Sequence, residues 1–277
     1  MNGPSVKEFE IKAAKLFGKK YGLMVNSGSS AIMLAFESLG LQKGSEVITP
    51  ALTFSTTVGY IVRNKLVPVF VDVERNTFNI DPEEVESMIS DRTVAILAPN
   101  LMGNMCRWDR IREIADKYNL KVIEDSADTL GATYNEKKSG SYSDMSITSF
   151  YGSHIINCAG NGGALAINDK KVMEKAKLLR GWGRSSAHFN ESESIKDRFN
   201  VKISGIDYDA KYVFEKIGYN LEGNEVGAAF GLAQLEKLNT NIKIRRENFN
   251  RQCDFFSKYP NYFSNPEEIK GSQTAWL

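Results

Sequence analysis

The sequence predicts an α/β fold, a mainly parallel sheet sandwiched by helices. Three observations lead there. Short apolar runs alternate with amphipathic stretches over roughly residues 6–180, joined by short turns. One run, Val67–Val73, is apolar without alternation, as in a strand buried on both faces. Several runs end on small polar or acidic residues, at Asn26–Ser30, Asp125 and Ser149, and strand ends are where such sheets place ligands.

Val6–Phe17 carries Phe9, Ala13, Leu16 and Phe17 at helical spacing. Tyr21–Val25 reads as a short strand. Asn26-Ser27-Gly28-Ser29-Ser30 breaks it and opens a helix over Ala31–Leu39, which Gly40 stops. Glu46–Thr49 is a strand ending at Pro50, and Val67–Val73 is the next. Helix Pro82–Ile89, strand Val94–Ala98, helix Trp108–Tyr118 and strand Lys121–Glu124 follow, the last ending in Asp125. Ser146–Phe150 and Gly163–Ile167 are two more strands, and Lys170–Leu179 is a helix. Residues 185–217 are polar and read as a long irregular excursion. Glu225–Leu238 is a helix of small and apolar residues, continued by charged helical sequence to about Lys258.

Composition narrows the function classes. The chain has 277 residues, 42% apolar and 25% charged, as expected of a soluble globular protein. A net charge of +1 gives no reason to expect nucleic acid or an anionic membrane as partner. The N-terminus has no apolar signal core, and no run approaches the ~20 apolar residues that span a bilayer. Cys106, Cys158 and Cys253 are odd in number and widely spaced, which predicts free thiols in a reducing cytoplasm and no metal site.

Three segments could carry chemistry. The turn Asn26–Ser30 opens a helix, so its free N–H groups and the hydroxyls of Ser29 and Ser30 could cradle a phosphate. The same turn also serves as a plain helix cap. Asp125 closes a buried strand, with Asp128 three residues on. A carboxylate there could hold a heteroaromatic nitrogen protonated, or simply form a turn. The stretch SFYGSHIINCAGNGG, Ser149–Gly163, places His154 in a loop after a strand, in a chain with two histidines. A lone histidine there is either a functional base or a hydrogen-bonded structural residue. The turn after the first strand lacks GxGxxG, which argues against a nicotinamide oxidoreductase.

In order and spacing these segments resemble the DegT-type family of sugar aminotransferases and dehydratases. The resemblance runs over nearly the whole chain: GPSVKEFE, NSGSSA, VITPALTFSTT, PVFVDVERNTFNIDPEEVE, VIEDSADTLGA, SFYGSHIINCAGNGG, GWGR and IGYNLEGNEVGAAFGLAQLEKL. It implies the fold of the pyridoxal phosphate-dependent transferases of fold type I. Residues 1–240 would be the large cofactor-binding domain. Residues 241–277 would be a connecting helix and the start of a truncated small C-terminal domain. It further implies that Gly28, Ser29, Ser30 and Ser149 hold the cofactor phosphate and that Phe54 stacks on the pyridine. Asp125 would pair with the ring nitrogen, and Asp128 would stand where the family commonly has glutamine. Asn220 would reach the phosphate of a neighbouring subunit's cofactor, in a homodimer with shared active sites.

His154 falls on the position of the family's Schiff-base lysine. Imidazole forms no stable imine, so the resemblance points to the histidine-bearing branch, the pyridoxamine phosphate-dependent 3-dehydratases of nucleotide-linked 4-keto-6-deoxyhexoses. Pyridoxamine or pyridoxal phosphate would bind non-covalently, His154 would be the base, and Asp125 would keep the ring protonated. Some members of that branch carry an iron–sulfur cluster on cysteines after the WGR motif. Here GWGRSSAHFNESES has none, so no cluster is expected. Glu222 stands where a basic residue near the substrate is usual, which leaves the sugar open. A nucleotide-sugar aminotransferase and an inactive vitamin B6-binding paralogue are the alternatives.

Overall fold

A computed structural model describes residues 3–189 and 194–277, so residues 190–193 of the polar excursion lie outside it. Seven strands form the central sheet: β1 (Tyr21–Val25), β2 (Glu46–Pro50), β3 (Val67–Val71), β4 (Thr93–Pro99), β5 (Lys121–Asp125), β8 (Met145–Ser149) and β9 (Gly163–Ile167). Short strands β6 (Thr133–Tyr134) and β7 (Lys137–Lys138) form a side sheet with β12 (Ser272–Gln273), and β10 (Val201–Ile203) pairs with β11 (Ile206–Tyr208). The main order is β1-β9-β8-β5-β4-β2-β3, parallel from β8 to β3, with β9 antiparallel to both its neighbours. The sheet is therefore mixed and mostly parallel.

Alternation along each strand divides the core. Leu23 and Val25 of β1, with Ala95 and Leu97 of β4, face helices α2 (Gly28–Leu39), α3 (Ser55–Arg63) and α6 (Lys170–Arg180). Ile96 and Ala98 of β4 face α4 (Pro82–Ser87) and α5 (Trp108–Lys117). Met24 and Ala164 face α1 (Pro4–Leu16) and α8 (Glu225–Glu236). An ion pair ties three elements at one edge. Arg180, 2% exposed, donates to Glu10 Oε1 at 2.6 Å and to Met24 O at 2.7 Å.

Two sequence expectations are corrected here. Val67–Val73 is not buried on both faces: β3 is the edge strand, bonded to β2 alone, with Phe70 49% exposed. Pro68 suits that position because it has no N–H to give an outer neighbour. The excursion after residue 185 is not irregular throughout. It holds α7 (Ile195–Arg198) and the β10–β11 hairpin. The final helical stretch divides at Lys237, after which α9 runs Leu238–Phe256. The chain then returns to the large body, where β12 pairs with β6 and Ala275 and Trp276 are buried. No described helix is long and apolar enough to cross a membrane.

Candidate active site

The parallel strands point their carboxyl ends into one cavity of about 640 Å³. Pro99 of β4, Asp125 of β5 and Ser149 of β8 line its floor, and the first turns of α2 and α3 line one side. Gly28, Ser29, Phe54, Asp125, Asp128, Ser149 and His154 all reach it. The structure thus brings together most of the residues singled out in the sequence.

The α2 end forms because Ser27 caps the helix, accepting from Ser30 N at 3.1 Å. Gly28 follows at a point of close approach to β8: a Cβ there would lie 2.8 Å from Ser149 Cβ. Ser29 Oγ donates to Thr56 Oγ1 at 3.1 Å, linking the N-termini of α2 and α3. Two helix N-termini and three hydroxyls, on Ser29, Thr56 and Ser149, therefore converge on one end of the cavity and favour an anion there.

Ser30 does not join them. It is buried, and its hydroxyl donates to Asn26 Oδ1 at 2.6 Å, so it holds the turn together instead. Asn220 is exposed and outside the cavity, bridged to Gly181. Glu222 bridges to Val25 at the end of β1, also outside it. Phe54 stands at the rim, 69% exposed.

At the other end lies a carboxyl–imidazole group. Asp125 is 7% exposed and accepts one backbone hydrogen bond, from Ala127 N at 3.1 Å. Burial, with the nearby Asp128 charge, pushes its carboxyl up to about 7. His154 Nδ1 lies 3.3 Å from Asp128 Oδ1, close but not aligned for a hydrogen bond. The His154 backbone N–H donates to Tyr151 O at 3.1 Å, and Tyr151 sets its ring edge-on to the imidazole.

Sequence reasoning missed Thr56, Asn100 and Leu277, which also line the cavity. Thr56 lies on a helix that was not foreseen; Thr57 and Ile61, both fully buried four residues apart, were the available signal. Asn100 is the centre of a buried network. Its amide donates to Glu124 Oε1, Ser126 Oγ and Thr129 Oγ1 at 3.2, 2.9 and 3.1 Å. Its Oδ1 accepts from Cys106 N and Trp108 Nε1 at 3.0 and 2.9 Å.

These donors suit the cofactor that the sequence resemblance implies. The cradle offers N–H groups and hydroxyls to a phosphate. The under-bonded, buried Asp125 offers an acceptor to a protonated ring nitrogen. Among the described residues, none of those lining the cavity is a lysine.

Comparison with known proteins identifies the family. The chain is 36% identical over 286 residues to a dTDP-4-dehydro-2,6-dideoxy-D-glucose 3-dehydratase of Saccharopolyspora spinosa, covering 99% of this chain and 62% of that protein. It is 36% identical over 243 residues to a GDP-perosamine synthase of Caulobacter vibrioides, covering 88% of this chain and 59% of that one. The chain thus spans about three fifths of the length of these relatives. Among solved structures, an E. coli GDP-4-keto-6-deoxy-D-mannose-3-dehydratase with bound hydrated PLP superposes with a TM-score of 0.87 at 32% identity, over 99% of this chain and 70% of that one. The model of the DegT/DnrJ/EryC1/StrS aminotransferase family matches residues 1–277, and the chain belongs to that family.

Proposed function

We propose that this chain is the catalytic body of a pyridoxamine phosphate-dependent dehydratase that removes the C3 hydroxyl of a nucleotide-linked 4-keto-6-deoxyhexose. The observation that carries this reading is His154, beside Asp128, in a cavity with no lysine among its described lining. When bound, pyridoxamine phosphate supplies the amine that condenses with the C4 ketone and a ring that accepts electrons.

The chain's own residues do the rest. Ser29, Thr56, Ser149 and the two helix N-termini bind the phosphate. Asp125 keeps a proton on the ring nitrogen, and Phe54 covers the ring. Asp128 faces His154 Nδ1 and leaves Nε2 for proton transfer. His154 takes up the proton released in the reaction and returns it to the C3 oxygen, which leaves as water. Glutamate would restore the amine. Because Asn220 lies outside the cavity of its own chain, a homodimer in which it serves the partner's site fits the arrangement.

The relatives support the substrate class unequally, since the GDP-perosamine synthase favours a second reading, a nucleotide-sugar aminotransferase. Cofactor form separates the two. The protein is incubated with pyridoxal phosphate and, separately, with pyridoxamine phosphate, then treated with borohydride and read by absorbance and intact mass. Tight pyridoxamine phosphate with no lysine adduct is expected, followed by C3 dehydration of a nucleotide-linked 4-keto sugar. A stoichiometric adduct at one lysine would instead establish the aminotransferase. Iron analysis of the same sample is expected to show no stoichiometric iron.

A further inference from the structure

We infer that Arg245, with Asn241, is a positioning residue for His154, and that it ties the histidine loop to the 274–277 segment, whose last residue lines the cavity. The inference rests on the proposed role of His154 as base. It concerns α9, which contributes no residue to the cavity lining.

The loop 151–160 between β8 and β9 has no regular structure of its own. Downstream of His154 it is anchored by Ile155 and Ile156, 4% and 1% exposed. Upstream, Tyr151, Gly152 and Ser153 are all exposed, and a Cβ on Gly152 would meet nothing within 4 Å. Packing therefore fixes one side of the histidine and leaves the other loose. Arg245 Nη2 supplies the missing tie, donating to Ser153 O at 2.9 Å, while Asn241 Nδ2 donates to Ile155 O at 3.0 Å. The two carbonyls flank His154 in the chain, and the two donors stand one turn apart on α9.

The same guanidinium reaches a second segment. Arg245 Nη1 donates to Trp276 O at 3.2 Å. Trp276 stacks on Phe249 of α9 with centroids 3.9 Å apart and planes 6° apart. The next residue, Leu277, donates its N–H to Met102 O at 3.0 Å and lines the same cavity as His154. A planar guanidinium with fixed donors suits such a two-sided bridge; a lysine ammonium holds one geometry less firmly.

The chain's two histidines make the idea testable without turnover. In the full chain with His188→Gln and pyridoxamine phosphate added, one imidazole remains, and ¹⁵N NMR reads its tautomer and line width. Arg245→Gln is expected to mix the tautomers and broaden the His154 signal. Amide exchange over 151–155 should accelerate about 10-fold. In turnover, kcat should fall on the order of 10-fold with KM for the sugar nucleotide within about 2-fold, the signature of a displaced group rather than lost binding. Arg245→Lys, able to keep one donation, should recover part of each effect. If Arg245→Gln does not fold, Asn241→Ser and Arg245→Lys carry the same readouts with smaller expected changes. Unchanged His154 signal and exchange in a folded variant would overturn the inference. Unchanged NMR behaviour counts against Arg245, whereas a chain that never dehydrates counts against the proposed activity.

Discussion

His154 and Asp128 face each other across 3.3 Å, Nδ1 to Oδ1, with about one sixth of each side chain exposed. In the proposed reaction a small turn of either side chain would align this pair, favour the tautomer with its proton on Nδ1 and leave Nε2 for proton transfer. Asp128→Asn keeps the shape and removes the charge, and an amide can offer either N–H or C=O. The expected outcome is a mixture of imidazole tautomers by ¹⁵N NMR and a fall in dehydration of about 10-fold. A variant with one tautomer and parental kcat would show that Asp128 plays no part in setting the base.

Asp125 predicts a pH dependence of stability in the cofactor-free chain. Its carboxyl is pushed up to about 7, mainly by burial, against roughly 3.9 in an unfolded chain. Between those values the folded state holds a proton that the unfolded state has lost. Stability contributed by this group is therefore full below about pH 4 and declines as pH rises towards 7. The decline is on the order of 4 kcal/mol, at 1.36 kcal/mol per unit. Urea unfolding midpoints should fall from pH 5 to pH 8, and Asp125→Asn should flatten the trend. Pyridoxamine phosphate should restore the loss at pH 8, because a ring N–H⁺ would pair with the carboxylate. The same slope in Asp125→Asn as in the parent would reject this assignment.

Ser149 and Thr56 contribute hydroxyls from different elements to the same end of the cavity. A hydrogen bond to a charged group is worth about 1.5–3 kcal/mol. Ser149→Ala and Thr56→Val should each weaken pyridoxamine phosphate binding by roughly 10-fold or more in calorimetry. Ser30→Ala should act differently: its hydroxyl serves Asn26, so folding stability should drop before cofactor affinity does. Equal affinity loss for Ser30→Ala and Ser149→Ala would contradict this division of labour.

The sequence reveals most of what lies near a strand end, because apolar runs mark the strands and polar residues directly after them reach one edge of the sheet. Gly28, Ser29, Asp125, Asp128, Ser149 and His154 were legible for that reason. Ser30 was not, since one further step round the helix turns its side chain from the cavity to Asn26. Helix α3 was hidden by Thr, Val and Ile, whose β-branching weakens a helical reading. The edge position of β3 depends on having no outer neighbour, which apolarity cannot signal, although Pro68 could. Arg245 meets the loop of His154 from about 90 residues away, Leu277 lines the same cavity from about 120, and no local pattern encodes such long-range placements.

Asn100 joins the cavity wall to the buried network around Glu124, and the network gives the last prediction. Glu124 is fully buried, with its carboxyl pushed up by burial and offset by the hydroxyls of Ser126, Ser143 and Ser146 and by the charge of Lys19. Asn100 supplies both donors and an acceptor at the centre, its Oδ1 serving Trp108 Nε1 and Cys106 N together. Asn100→Ala therefore strands two donors and removes hydrogen bonds from Ser126, Thr129 and Glu124, all buried. Each stranded group costs about 1–3 kcal/mol, so a loss of roughly 3–5 kcal/mol is expected in urea unfolding. Asn100→Asp keeps the acceptor but sets a second carboxyl against Glu124, and it should be destabilised more at pH 8 than at pH 5. An Asn100→Ala protein as stable as the parent would mean that water fills the gap and satisfies the same groups, leaving Asn100 as a wall of the cavity only.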